Sequence, residues 1–243
     1  MKRLLTFLIV SLLSLSVFAQ SAAELKNSGN KALRSKNYKL ALEKYEAYFK
    51  VLEGKDNASV FNAAYCATKL KDYDKAVVYF SKSIKNRYKT TSAYKFKAIA
   101  YKKQNKEAQM VATLEEGLKA KPGNKKLEKL LYVHFLKKGT KLQKANKAVE
   151  ARECFKKVAK LNTKKFKGDA FYSLGASFCN EGAMIIEKAR PYANTKREKF
   201  AEEKGKAVKL YKEGIKYLDK ALALNPNRES AKKTKEEALK TIK

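Results

Sequence analysis

Histidine is almost missing from this chain: among 243 residues His134 alone carries an imidazole, tryptophan is absent, and cysteine and proline occur three times each. A single histidine with no carboxylate or cysteine at a telling spacing offers neither a general base nor a metal site. The aspartates are also few; Asp56, Asp72, Asp74, Asp169 and Asp219 form no paired-carboxylate or EF-hand signature. No phosphate-binding loop or nucleophile motif occurs. These absences point away from an enzyme and imply no cofactor. Cys66, Cys154 and Cys179 lack CxxC spacing and cannot all pair within one chain. They read as buried small hydrophobes, with one disulfide plus a free thiol as the alternative if the chain reaches an oxidising compartment.

Long hydrophobic runs are absent too, except at the start. In MKRLLTFLIVSLLSLSVFAQ, Lys2 and Arg3 precede an apolar run from Leu4 to Phe18. As a helix that run would reach about 22 Å, against a hydrocarbon core of roughly 30 Å, so it reads as a secretory signal peptide over residues 1–19. Val17 and Ala19 place small residues before a cut that would leave Gln20 at the mature N-terminus. The junction has no cysteine, which disfavours a lipoprotein. The expectation is a chain exported to the envelope, periplasmic or secreted, with no transmembrane segment once mature.

What the chain has in excess is lysine. The formal net charge is +32, from 56 basic and 24 acidic residues, and 49 of the basic ones are lysine. Lysine is a strongly hydrated point charge without the planar fork that reads phosphate. The surplus reads as a solvated surface that can attract an anionic partner. Export argues against nucleic acid as that partner.

The stretch GNKALRSKNYKLALEKYEAY, Gly29 to Tyr48, sets the pattern for the rest. Small Gly29 and Ala32 allow a close helix approach, while Tyr38, Ala41, Leu42, Tyr45 and Tyr48 recur at helical spacing. Equivalent small residues, Gly29, Ala64, Ala98, Gly139 and Gly175, are separated by 35, 34, 41 and 36 residues. This pattern resembles the tetratricopeptide repeat (TPR). The resemblance implies an all-α fold, a right-handed α-solenoid of about five helical hairpins with a C-terminal capping helix. The units fall at about 22–55, 57–90, 91–124, 125–165 and 168–228, and the cap at 229–243. The third is expected to pack more loosely, since Glu107 and Met110 replace an aromatic and an alanine. The fourth gains about two turns at its start. The fifth carries about 27 extra residues relative to the roughly 34-residue unit, expected to lengthen both arms into a flap or a docking surface. A capping box is expected at Thr195 and Glu198.

The resemblance further implies a concave groove lined by first helices, typically receiving a peptide or a partner's helix. By register Lys26, Asn30, Arg34, Phe61, Tyr65, Lys69, Lys95, Ile99, Lys102, Lys103, Leu136, Lys144 and Tyr172 would face it. Phe61 and Tyr65 could equally fill space between repeats. Some members of the family grip a terminal carboxylate; Lys26, Asn30 and Asn62 match three of those sites, but Ser92 and Phe96 replace the basic pair. Two readings follow. One is a non-catalytic scaffold binding another protein, with an acidic segment as the expected ligand. The other is a structural envelope protein held by its charge to anionic lipids or glycans.

Overall fold

The computed structural model describes residues 21–52 and 56–243. The signal-peptide reading of residues 1–19 therefore lies outside the described residues. Every regular element described is helical: α1 (21–34), α2 (Tyr38–Leu52), α3 (Asn57–Lys69), α4 (Tyr73–Lys85), α5 (Thr90–Lys103), α6 (Glu107–Ala120), α7 (Lys125–Lys144), α8 (Ala148–Ala159), α9 (Lys164–Ala189), α10 (Arg197–Leu224) and α11 (Glu229–Ile242). A short 3-10 turn, Arg190–Tyr192, separates α9 from α10. The chain divides into two units, Met1–Lys121 and Pro122–Lys243. Each is a stack of antiparallel hairpins, the construction of an all-α repeat array.

In the first unit the hairpins pair α1 with α2, α3 with α4 and α5 with α6. Small residues decide how closely the arms lie. A Cβ placed on Gly29 would sit 2.9 Å from the Tyr45 ring, so only glycine fits between these helices. Ala64, Ala76, Ala98 and Leu114 are fully or almost fully buried. Met110, at a position usual for alanine, is also buried at 4% exposure. The expected looseness of this hairpin is thus not seen at that site: an unbranched thioether fills an irregular gap.

Five turns share one backbone device: the turn between α4 and α5, where Arg87 has φ 54° and Tyr88 N donates to the Ser83 carbonyl at 2.9 Å, and four turns within hairpins. Lys36, Lys71, Asn105 and Asn146 all have positive φ, between 58° and 63°, and follow one another at steps of 35, 34 and 41 residues. The next residue donates its N–H five positions back in each case: Asn37 to Ala32, Asp72 to Ala67, Lys106 to Tyr101 and Lys147 to Leu142, all at 2.9 Å. This left-handed closure ends a helix and reverses the chain in the same space each time.

In the second unit α7 pairs with α8, α9 with α10, and α11 packs on both α10 and α9. A Cβ on Gly139 would meet the Phe155 ring at 2.5 Å, and one on Gly175 would meet Leu218 Cγ at 2.6 Å and the Gly214 carbonyl at 2.9 Å. The added residues of the last hairpin lengthen both arms, to 26 residues in α9 and 28 in α10. All three cysteines are buried thiols. Burial pushes Cys66 and Cys179 up to about 11, keeping them protonated.

Two local expectations are corrected. The first helix of the fifth hairpin starts at Lys164, ahead of the boundary expected at about 168, and Glu128 of α7 organises its beginning. The Glu128 carboxylate is 1% exposed and accepts from Asn162 N at 2.8 Å, from Thr163 N at 3.0 Å and from the Thr163 hydroxyl. The capping box at Thr195 does not form. α10 begins after Lys196 with no side-chain cap, and Thr195 donates back to the Pro191 carbonyl at 3.3 Å.

Candidate partner-binding face

Of the fourteen residues expected to face the groove or grip a carboxylate, eleven lie in the first unit: Lys26, Asn30 and Arg34 on α1, Phe61, Asn62, Tyr65 and Lys69 on α3, and Lys95, Ile99, Lys102 and Lys103 on α5; Leu136 and Lys144 on α7 lie in the second. Tyr172 belongs to the second unit. There the Arg228 guanidinium lies 4.3 Å from the centre of its ring. Arg228 Nη1 also donates to Asp169 Oδ1 at 2.6 Å, and Tyr132 donates to Asp169 Oδ2 at 2.8 Å. Burial and the hydrogen bond to Asp169 push the Tyr132 phenol up to about 12. Tyr172 is thus half covered by a polar tie between α7, α9 and the start of α11.

In the first unit a line of half-buried rings crosses three helices. Tyr38 of α2 meets Tyr65 of α3 edge-on at 6.1 Å, and Tyr65 meets Phe96 of α5 at 6.4 Å. Lys69 stands over both tyrosines, its Nζ 5.2 Å from the Tyr65 centroid and 6.0 Å from that of Tyr38. Lys95 lies 5.1 Å from the Phe96 centroid. Cation–π contacts of this exposed kind are worth about 0.5–1 kcal/mol each. They leave the ammonium wet and hold it beside an apolar surface. Lys102 and Arg34 are exposed.

Phe61 takes the packing role. It is 8% exposed, with Phe80, Tyr88 and Phe96 around it at centroid distances of 5.5, 6.2 and 6.4 Å. Little of its ring is left for a partner. Tyr65, by contrast, keeps part of its ring open. Tyr38 was missed as a face residue because it fits the repeat's own apolar register, and Phe96 was read only as the loss of a basic grip residue; the usable signal was Lys95 beside Phe96.

The three residues matching a carboxylate grip are engaged internally. Lys26 Nζ lies 2.7 Å from Asp56 Oδ2. That hydrogen bond raises the Lys26 pKa. Burial alone would raise Asp56, but hydrogen bonds from Lys26, Ser59 and the Ala58 N–H outweigh it and hold its carboxyl below the usual range. Asn30 Oδ1 accepts from the Tyr45 hydroxyl at 2.7 Å, and Asn62 Nδ2 donates to that hydroxyl at 3.4 Å. The carboxylate that Lys26 holds is therefore one from its own chain.

Among the described residues no cluster of three or more histidine, cysteine or acidic side chains could hold a metal ion, and no helix is long and apolar enough to cross a membrane. The family profile described as Tetratricopeptide repeat matches residues 58–89. A solved TPR repeats protein from Bacteroides fragilis is 40% identical, with a TM-score of 0.87 over 91% of this chain and 99% of the other. The chain belongs to the tetratricopeptide repeat family. Other TPR structures share less. One from Parabacteroides merdae is 13% identical with a TM-score of 0.46, covering 90% of this chain and 99% of that one. The TPR2AB domain of yeast Sti1, solved as a complex with pHSP90, is 14% identical with a TM-score of 0.39, covering 92% and 98%. The comparison with curated proteins gives no match. TPR domains bind protein partners, and TPR proteins are generally non-catalytic scaffolds.

Proposed function

We propose that this TPR protein is an exported, non-catalytic scaffold that binds an acidic segment of another protein along the face formed by Tyr38, Tyr65 and Phe96. The observation that carries the reading is Lys69 standing over two of these half-open rings, with Lys95 over the third. Aromatic surface supplies contact at low entropic cost, and ammonium groups already held beside it meet carboxylates without having to be ordered. Opposite charge speeds encounter, and salt weakens it. The signal-like residues 1–19 support export; mass spectrometry of the N-terminus from an envelope fraction should find Gln20 first, and an intact Met1 would refute cleavage.

The binding test uses crosslinking in intact cells, comparing the parent with a Tyr65→Ala, Lys69→Ala, Lys95→Ala variant whose circular dichroism is unchanged. The reading requires crosslinks to a discrete partner with the parent and their loss with the variant; an unchanged pattern would sink it. The lysine surplus favours a second reading, attachment to anionic envelope surfaces through charge alone. That reading requires equal binding of parent and variant to anionic lipid vesicles, abolished in high salt.

A further inference from the structure

The second unit carries a cleft that shares no residue with the aromatic face. It opens where α9 continues past the turn joining α7 to α8, and its volume is about 610 Å3. That lies within the roughly 300–1,000 Å3 of ligand sites. The cause is the length mismatch already described. α8 has 12 residues and α9 has 26, so much of α9 has no α8 beside it.

The lining combines apolar surface with a few polar groups. Val149 at the start of α8 is 63% exposed and Met184 on α9 is 41% exposed, and both line the cleft with Ile185. Such apolar exposure at two facing elements leaves a surface that water solvates poorly. Ser177, on the same wall, is 2% exposed and its hydroxyl has no hydrogen-bond partner. A buried hydroxyl without a partner is destabilising and gains from any group that pairs with it.

Charge selects the occupant. Both carboxylates of the lining are matched by cations, Glu150 to Lys147 at 3.5 Å and Glu181 to Arg152. No ion pair involves Lys188 among the described residues, although it also lines the cleft. The first turn of α8 opens into the same space, and its N-cap, Lys147, contributes no side-chain hydrogen bond. Backbone N–H groups at a helix start favour negative charge. A basic segment would instead meet Lys188 and the positive end of α8.

We propose that this cleft is a second binding site, taking a short acidic–apolar peptide segment of a partner protein. An apolar side chain of the segment lies against Val149 and Met184, a carboxylate meets Lys188 and the start of α8, and a polar group pairs with Ser177. The site stands independently of the aromatic face, so either can fail without the other.

The probe is a phage-displayed library of random heptapeptides selected on the immobilised full chain. Selected peptides are then measured by fluorescence polarisation against the parent and against Met184→Glu, Lys188→Ala, Ser177→Ala and Tyr65→Ala variants, each checked for parental circular dichroism. The proposal requires a class of peptides that joins leucine, isoleucine or phenylalanine to aspartate or glutamate. This class should bind Tyr65→Ala like the parent and Met184→Glu about tenfold more weakly. Lys188→Ala should weaken it by about threefold and flatten its salt dependence, and Ser177→Ala should weaken it without lowering thermal stability. Failure to enrich peptides, enrichment of basic ones, dependence of every peptide on Tyr65, or indifference to Met184→Glu would each overturn the proposal.

Discussion

The first unit fills the space between short hairpins with aromatic rings, whereas the second brings two long helices together over glycine. In the first, Tyr45, Phe61 and Phe80 form the buried centre, with Tyr38, Phe49, Tyr73, Tyr79, Tyr88 and Phe96 packed against it. Rings this large serve adjacent repeats at once, and those at the margin leave an edge in solvent. In the second, Gly175, Gly182 and Gly214 mark the seam of α9 with α10. A Cβ on Gly214 would lie 2.7 Å from Cys179 Sγ, and one on Gly182 would lie 3.1 Å from the Tyr211 ring. Surplus ring surface gives the first unit its aromatic face. Surplus helix length gives the second its cleft.

The largest effect should come from emptying the aromatic centre. Phe80 is fully buried, so Phe80→Ala should lower stability by about 3–5 kcal/mol, read from urea titration by circular dichroism. If Phe80→Leu were as damaging as Phe80→Ala, the aromatic contacts rather than volume would be the determinant. Next comes Gly175→Val, which drives a branched side chain into Leu218 and the Gly214 carbonyl. A loss of about 3 kcal/mol is expected; a loss below that of Gly168→Val, whose Cβ has nothing nearer than 3.8 Å, would contradict the close-approach account.

Glu128→Ala should cost about 2 kcal/mol by leaving the Asn162 and Thr163 N–H groups without their acceptor, with hydrogen exchange rising first at the start of α9. Smaller and opposite in sign, Gly205→Ala should stabilise by about 0.5–1 kcal/mol, since a Cβ there meets nothing within 4 Å. Smallest is the Lys26–Asp56 pair. Asp56 has a depressed folded pKa, so its contribution is complete above its unfolded value and disappears as pH falls through the lower folded one. Lys26 has a raised folded pKa, so its contribution holds below its unfolded value and fades as pH rises through the folded one. Asp56→Asn should therefore lower stability by about 0.5 kcal/mol at neutral pH and change little in strong acid; an equal loss at both would show that the charge is irrelevant.

Much of the fold was legible because the repeat writes itself into spacing. Gly29 opposite Tyr45 and Gly139 opposite Phe155 sit where the small-residue ruler puts them, and the surplus before Pro226 became helix length in both arms. What spacing could not show were groups acting from a distance. Glu128 organises the start of α9 from 34 residues upstream, so the apolar spacing, which first shows at Phe171, placed that start too late. Thr195 had the right neighbour for a cap, but Pro191 offered its carbonyl first. The binding face was half visible for a related reason. Register identifies which side of a helix faces inward, yet it does not tell a ring held beneath neighbours, as Phe61 is, from one left at the edge, as Tyr65 is. Nor could a KxxxN pattern reveal that Asp56 already occupies its lysine.

The left-handed turns at Lys36, Lys71, Asn105 and Asn146 act as a reading frame for the backbone. Each closes with the same hydrogen bond whether lysine or asparagine stands at the positive φ. Excising residues 72–105, a single 34-residue step between two such turns, would leave Lys71 followed by Lys106, which makes the same hydrogen bond as Asp72. Such an excision would remove one whole repeat and keep the hydrogen-bond pattern of the turn. The tip between α9 and α10 reverses through a 3-10 turn instead.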